Sequence, residues 1–147
     1  MRSGWNGYVV VMALLAGLFS LRVAGQAVQH WAPQGFLPDF DSFQGSSLPY
    51  PILLAFQLVI LGWMIRTILR VGRGSTAPNR RVGRWLAWFG GIYMVGSILR
   101  IAVGLAIPSA PTWFSTWIPA LFHLVLAGFV IVAADFHLRH AGLAGTP

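Results

Sequence analysis

Four apolar stretches of about 20 residues dominate the chain and leave it few ways to fold. They cover residues 8–28, 49–71, 85–107 and 115–135. A helix needs about 20 apolar residues to cross ~30 Å of hydrocarbon. Within a bilayer it also satisfies its backbone polar groups inside its own segment. The pattern predicts an all-α integral membrane bundle of four transmembrane helices, with residues 1–147 forming a single membrane domain. Composition points the same way: 56% of the residues are hydrophobic and 9% are charged. A soluble domain carries roughly 25% charged residues, so this chain has too few to cover a water-facing surface.

Arginine placement then sets the direction of the spans. Six of the ten basic residues fall between positions 66 and 84, and Arg2 and Arg139 lie at the same set of helix ends. The connections at 26–48 and 108–114 carry no arginine. The positive-inside rule predicts cytoplasmic termini (N-in/C-in), a cytoplasmic Arg-rich turn at 72–84 and an outer loop at 26–48. Arg66, Arg70 and Arg73 follow one helical face, and with Arg80, Arg81 and Arg84 they are expected to contact anionic lipid headgroups. A net charge of +7 would otherwise suggest nucleic acid. Because the charge is confined to the ends of apolar runs, lipid is the expected partner instead. Basicity carried by arginine without lysine fits a GC-rich bacterial genome, and the expected location is a bacterial inner (plasma) membrane.

The first run has two readings. Arg2, residues 8–21 and the small-x-small triplet Gly25-Gln26-Ala27 resemble a cleaved signal peptide. Apolar residues that resume after Arg22, and Trp5 at an interfacial position, favour a retained helix. The 26–48 loop combines helix breakers (Pro33, Gly35, Pro38, Gly45) with Trp31, Phe36, Leu37, Phe40 and Phe43. It is too apolar for a free linker, so it should lie on the membrane interface or over the mouth of the bundle. Ala13/Gly17 and Ala87/Gly91 are small-xxx-small pairs of the kind that bring helices together.

Once the spans are oriented, one polar residue in each is anomalous. From the outer ends, at ~1.5 Å per residue, Arg22 lies ~9 Å deep, Arg100 ~10 Å, and Gln57 and His123 ~12 Å. Tyr93 shares the Arg100 face of the third helix. Charges at such depth must face the bundle, because lipid cannot solvate them. Together these residues make a candidate outward-facing pocket: Arg22 and Arg100 for an anion or polarised carbonyl, His123 as donor or proton relay, Gln57 completing the polar set, and Tyr93 and Phe122 as aromatic walls. A structural role is the competing reading, with Arg100 paired to Asp39 or Asp41 and the others in interhelical hydrogen bonds.

Chemistry is bounded mainly by what is missing. Without cysteine there is no thiol redox, disulfide or thiolate metal site, and no apolar run holds two acids for carboxylate-pair catalysis. Among cofactors, a quinone suits the Arg100/His123 pair. Haem needs two facing histidines, whereas His30 falls in the outer loop and His137 and His140 at the inner end, so it would have to be shared across a dimer. No metal site is expected; Asp135 should pair with Arg81 or Arg84. The function best matched to these features is a non-enzymatic accessory, assembly or small-ligand-binding subunit, working in a membrane-protein complex or homo-oligomer. A redox or quinone-handling component is the alternative. A small oligomeric transporter comes third, lacking an intramembrane acid for ion coupling and a broken-helix repeat.

Overall fold

Prolines, glycines and one asparagine punctuate the apolar runs into helices. The computed structural model of the chain describes residues 3–44, 48–107 and 117–141. Its helices are α1 (Ser3–Trp31), α2 (Phe40–Phe43), α3 (Tyr50–Gly72), α4 (Arg80–Ala106) and α5 (Trp117–His140). All but the short α2 are long and apolar enough to cross a membrane, and the fold is all-helical. Arg2, the 108–114 connection and the start of the fourth run at 115–116 lie outside the described residues.

Local chemistry explains the helix ends. α3 begins behind Pro49, with Pro51 in its first turn, where a missing N–H costs nothing. It ends in a Schellman turn: Ser75 N–H donates to Arg70 C=O at 2.9 Å and Gly74 N–H to Val71 C=O at 3.0 Å. Gly74 supplies the left-handed backbone (φ +67°) that this motif requires. α4 then starts on Asn79, whose side chain accepts from the backbone N–H groups of Arg81 (2.8 Å) and Val82 (3.2 Å). Such a cap contributes about 1 kcal/mol. The Asn79 N–H itself donates to His137 Nδ1 of α5 at 3.1 Å, tying the turn to the bundle.

The core lies along α1 and α5. Met12, Ala16, Phe19 and Val23 recur at helical spacing on α1 and pack with Met64 and Val71 of α3 and Phe129, Ala133 and Phe136 of α5. α1 packs against both α3 and α5, and α5 packs most closely of all against α4. α3 also reaches α5 through Trp63 on Phe129. α3 and α4, although joined by a short turn, make at most glancing contact. A short connection thus gives antiparallel neighbours for α4 and α5 but not for α3 and α4.

The α4–α5 approach uses Gly83, Gly90 and Ser97, all buried and seven residues apart, the period of a packed seam. A Cβ on Gly90 would sit 3.0 Å from Ile131 Cγ1, and one on Gly83 would sit 2.9 Å from Leu138 Cγ. Gly17 and Gly91, by contrast, have nothing within 4 Å of an added Cβ. The small-xxx-small pairs predicted as contact faces therefore point away from the other helices, and the heptad glycines take that role.

At the end of the bundle that carries the arginine turn, Asp135 pairs with Arg139 one turn on (2.7 Å) and accepts from the Tyr8 hydroxyl of α1 at 2.7 Å, in place of the expected Arg81 or Arg84. The i,i+4 spacing and the α1–α5 packing put those two partners closest.

Candidate functional site

Polar residues in the half of the bundle away from the arginine turn gather at two places. The first is between α4 and α5. Tyr93, Ser97 and Arg100 occupy one face of α4, at i, i+4 and i+7, and turn inward because the Gly83–Gly90–Ser97 seam draws that side onto α5. The Tyr93 hydroxyl lies 2.8 Å from His123 Nδ1, and the two rings stack with centroids 5.4 Å apart. Ser97 Oγ donates back to Tyr93 C=O at 2.8 Å, a local bond that satisfies a hydroxyl inside a helix. Arg100 is only 5% exposed. These four residues, with Phe89, Ile92 and Gly96, line a cavity of about 380 Å³. Phe89 stacks on Tyr93 at 6.0 Å and provides the aromatic wall that the sequence reading gave to Phe122.

The second place is between α1 and α3. Arg22 is 8% exposed and donates through Nη2 to Phe43 C=O at 2.9 Å, a charge-assisted bond that draws α2 over the end of the bundle. Gln57 Nε2 donates to Gln26 Oε1 at 3.1 Å. Gln57 therefore pairs with an α1 amide, not with the arginines. Four buried polar atoms here, Arg22 Nε, Gln26 Nε2, Gln57 Oε1 and Tyr50 Oη, have no hydrogen-bond partner among the described residues. A buried unpaired polar group costs about 1–3 kcal/mol, so four in one region mark a polar interior.

Sequence reasoning placed Gln26 in the outer loop. In the structure α1 continues to Trp31, and Gln26 (0% exposed) and Gln29 (8%) are buried within it. Arg22, Gln26 and Gln29 form a single i, i+4, i+7 stripe, a signal that extending the helix register by one turn exposes. Tyr50, also missed, is buried at the start of α3, where the His30 ring lies against it at 4.4 Å, tilted by 43°, and Phe40 meets it edge-on at 5.3 Å. His30 is thus part of an aromatic clamp at the C-terminal end of α1.

The remaining predicted residues lie elsewhere. Arg66, Arg70, Arg73, Arg80, Arg81 and Arg84 are all exposed near the opposite end of the bundle. His137 Nδ1 accepts from Asn79 N–H, and His140 Nδ1 lies 2.9 Å from Phe136 C=O, so both ring positions serve local structure. No group of three His, Asp or Glu side chains with metal-holding geometry occurs among the described residues.

Chemically, the α4–α5 cavity combines an apolar body with a guanidinium and a histidine–tyrosine pair. With Tyr93 donating to Nδ1, a neutral His123 carries its proton on Nε2, ready for a second acceptor. A cavity of this kind suits an apolar molecule with an accepting head. Comparisons with protein-family models, with curated proteins and with solved structures give no match for this chain.

Proposed function

We propose that the chain is a small-ligand-binding subunit of a bacterial plasma membrane, non-enzymatic in itself, with Tyr93, Ser97, Arg100 and His123 as its recognition set. The ligand class is an amphipathic molecule with an apolar body and a carbonyl or carboxylate head. The observation that carries this reading is a buried arginine sharing an apolar cavity with a hydrogen-bonded Tyr93–His123 pair. An acceptor head in the cavity meets the Arg100 guanidinium and His123 together, and hydrogen bonds from a charged donor are the stronger kind. The cavity lies on α4, the helix with one close neighbour, so the ligand enters sideways from the bilayer.

Purification in mild detergent, followed by mass spectrometry of the extracted small molecules, tests the proposal. Wild-type protein should carry a defined amphipath that Arg100→Leu loses. Gly96→Leu provides a second variant: an added Cβ there meets nothing within 4 Å, so it fills the cavity without disturbing packing and should also release the ligand. The same complement of molecules in wild type and Gly96→Leu would refute the site.

One specific feature favours a redox variant of this reading. A histidine that shares a proton with a tyrosine suits a quinone head, which accepts hydrogen bonds at its carbonyl oxygens and takes up protons on reduction. An ultraviolet difference spectrum of the extract, before and after borohydride reduction, separates a quinone from a carboxylate lipid.

A further inference from the structure

The face of α4 turned away from α5 carries a second feature, which has Ile92 alone in common with the polar cavity. Arg81 and Arg84 head a trough of about 600 Å³, floored and flanked by Trp85, Trp88 and Ile92. A neighbouring trough of about 540 Å³ also uses Trp88 and Ile92 and runs on past Ala87 and Gly91 to Val95. Sharing two walls, they form one continuous surface channel. At 100° per residue most of these residues lie across the helix from Gly83, Gly90 and Ser97, with Ala87 and Gly91 on the flank nearer that seam. Gly91 keeps the channel open: nothing lies within 4 Å of an added Cβ there.

Length and charge identify the occupant. From Arg84 to Val95 is eleven residues, ~16 Å of helix, close to half of the ~30 Å hydrocarbon thickness. The channel therefore runs from the headgroup layer to the middle of the membrane, covering one leaflet. Its mouth carries two guanidiniums one turn apart, with two indoles just below them at the level where aromatic rings sit among headgroups. Arginine pairs grip phosphate oxygens through planar, bidentate geometry, and apolar walls with a glycine floor accept a methylene chain. We infer that this channel is a specific site for one anionic phospholipid of the leaflet on the Arg81 side, its phosphate held by Arg81 and Arg84 and one acyl chain laid along Trp88, Gly91 and Val95. Arg66 and Arg70, at the same end of the bundle, belong to α3 and do not line the channel.

Native mass spectrometry of the full chain in neutral detergent, titrated with phosphatidylglycerol or with phosphatidylcholine of the same acyl chains, tests the inference. Phosphatidylglycerol should form a one-to-one adduct at least tenfold more tightly than phosphatidylcholine. Arg81→Gln/Arg84→Gln should abolish that preference, whereas Arg66→Gln/Arg70→Gln, with the same loss of charge, should leave it within twofold. Gly91→Leu fills the floor and should weaken the adduct several-fold with no change in helix content by circular dichroism. Glycerol phosphate, which has the head and no chain, should fail to displace the lipid. Equal binding of the two lipids, equal loss in both arginine pairs, an unaffected Gly91→Leu, or displacement by glycerol phosphate would each overturn it. A dimer dispersed by Gly91→Leu would overturn it too, since the channel would then be covered by a second copy of the chain.

Discussion

The hydroxyl of Tyr93 and the Nδ1 of His123 lie 2.8 Å apart, a hydrogen bond that joins α4 to α5 in the half of the bundle away from the arginine turn. Removing it by Tyr93→Phe keeps the stacked rings and loses only the polar link. Thermal or detergent unfolding should show a loss of about 0.5–1.5 kcal/mol, toward the lower end because interhelical hydrogen bonds in membranes average about 0.6 kcal/mol. In a double-mutant cycle with His123→Leu, the coupling energy should be of that size. A coupling indistinguishable from zero would mean that the contact is incidental.

Gln26 and Gln57 present the opposite asymmetry. Gln57 Nε2 donates the one hydrogen bond between them to Gln26 Oε1, and each amide leaves its other polar atom buried without a partner among the described residues. Gln57→Leu strands the Gln26 amide and should cost about 1–3 kcal/mol. The double variant Gln26→Leu/Gln57→Leu removes both needs together and should be closer to wild type than either single change. If the two single costs simply add, the pair does not act as a unit.

Adjacent glycines on α4 should respond in contrasting ways to one substitution. Gly90→Leu forces a side chain against Ile131 and Val130, whereas Gly91→Leu enters open space. The helix-propensity gain is the same at both positions, so it cancels in the comparison. Relative to Gly91→Leu, Gly90→Leu should lose about 1–3 kcal/mol to overpacking. Equal melting temperatures in one detergent would contradict the close α4–α5 approach.

Orientation can be read with thiols, because the chain has no cysteine of its own. Gly35→Cys, in the connection after α1, and Ser75→Cys, in the turn after α3, both place a thiol at an exposed position. If the arginine turn is cytoplasmic, a membrane-impermeant maleimide applied to intact cells should label Gly35→Cys and spare Ser75→Cys until the membrane is opened. The reverse pattern would invert the topology.

The four helices were legible because span length and apolarity are properties of single segments. The polar level was partly legible for a related reason: an intramembrane Arg22, Arg100 or His123 is conspicuous against an apolar background, and i, i+7 spacing alone puts Tyr93 beside Arg100. What the sequence hides is pairing between segments. Gln57 faces Gln26 of α1, which looked like a loop residue because Gly25 and Gln26 interrupt the apolar run before the helix has ended. On α4, glycines at positions 83, 90, 91, 96 and 104 lie on several faces, so the pattern does not say which of them meets a neighbour. Gly83 and Gly90 do, as the Leu138 and Ile131 contacts show. Loop length failed for a simple reason: a short turn keeps the ends of α3 and α4 close without making their sides touch.

That arrangement has a consequence for biogenesis. α4 has one close neighbour, and that neighbour is the helix translated after it. When α4 leaves the ribosome, the partner of its Gly83–Gly90–Ser97–Arg100 face does not yet exist, and α3, already inserted, offers that face no surface to dock on. The nascent chain thus carries the Gly83–Gly90–Ser97 seam into the membrane ahead of the helix that fills it. Close packing on that side of α4 can form only once α5 has arrived, so the two are expected to settle as one hairpin.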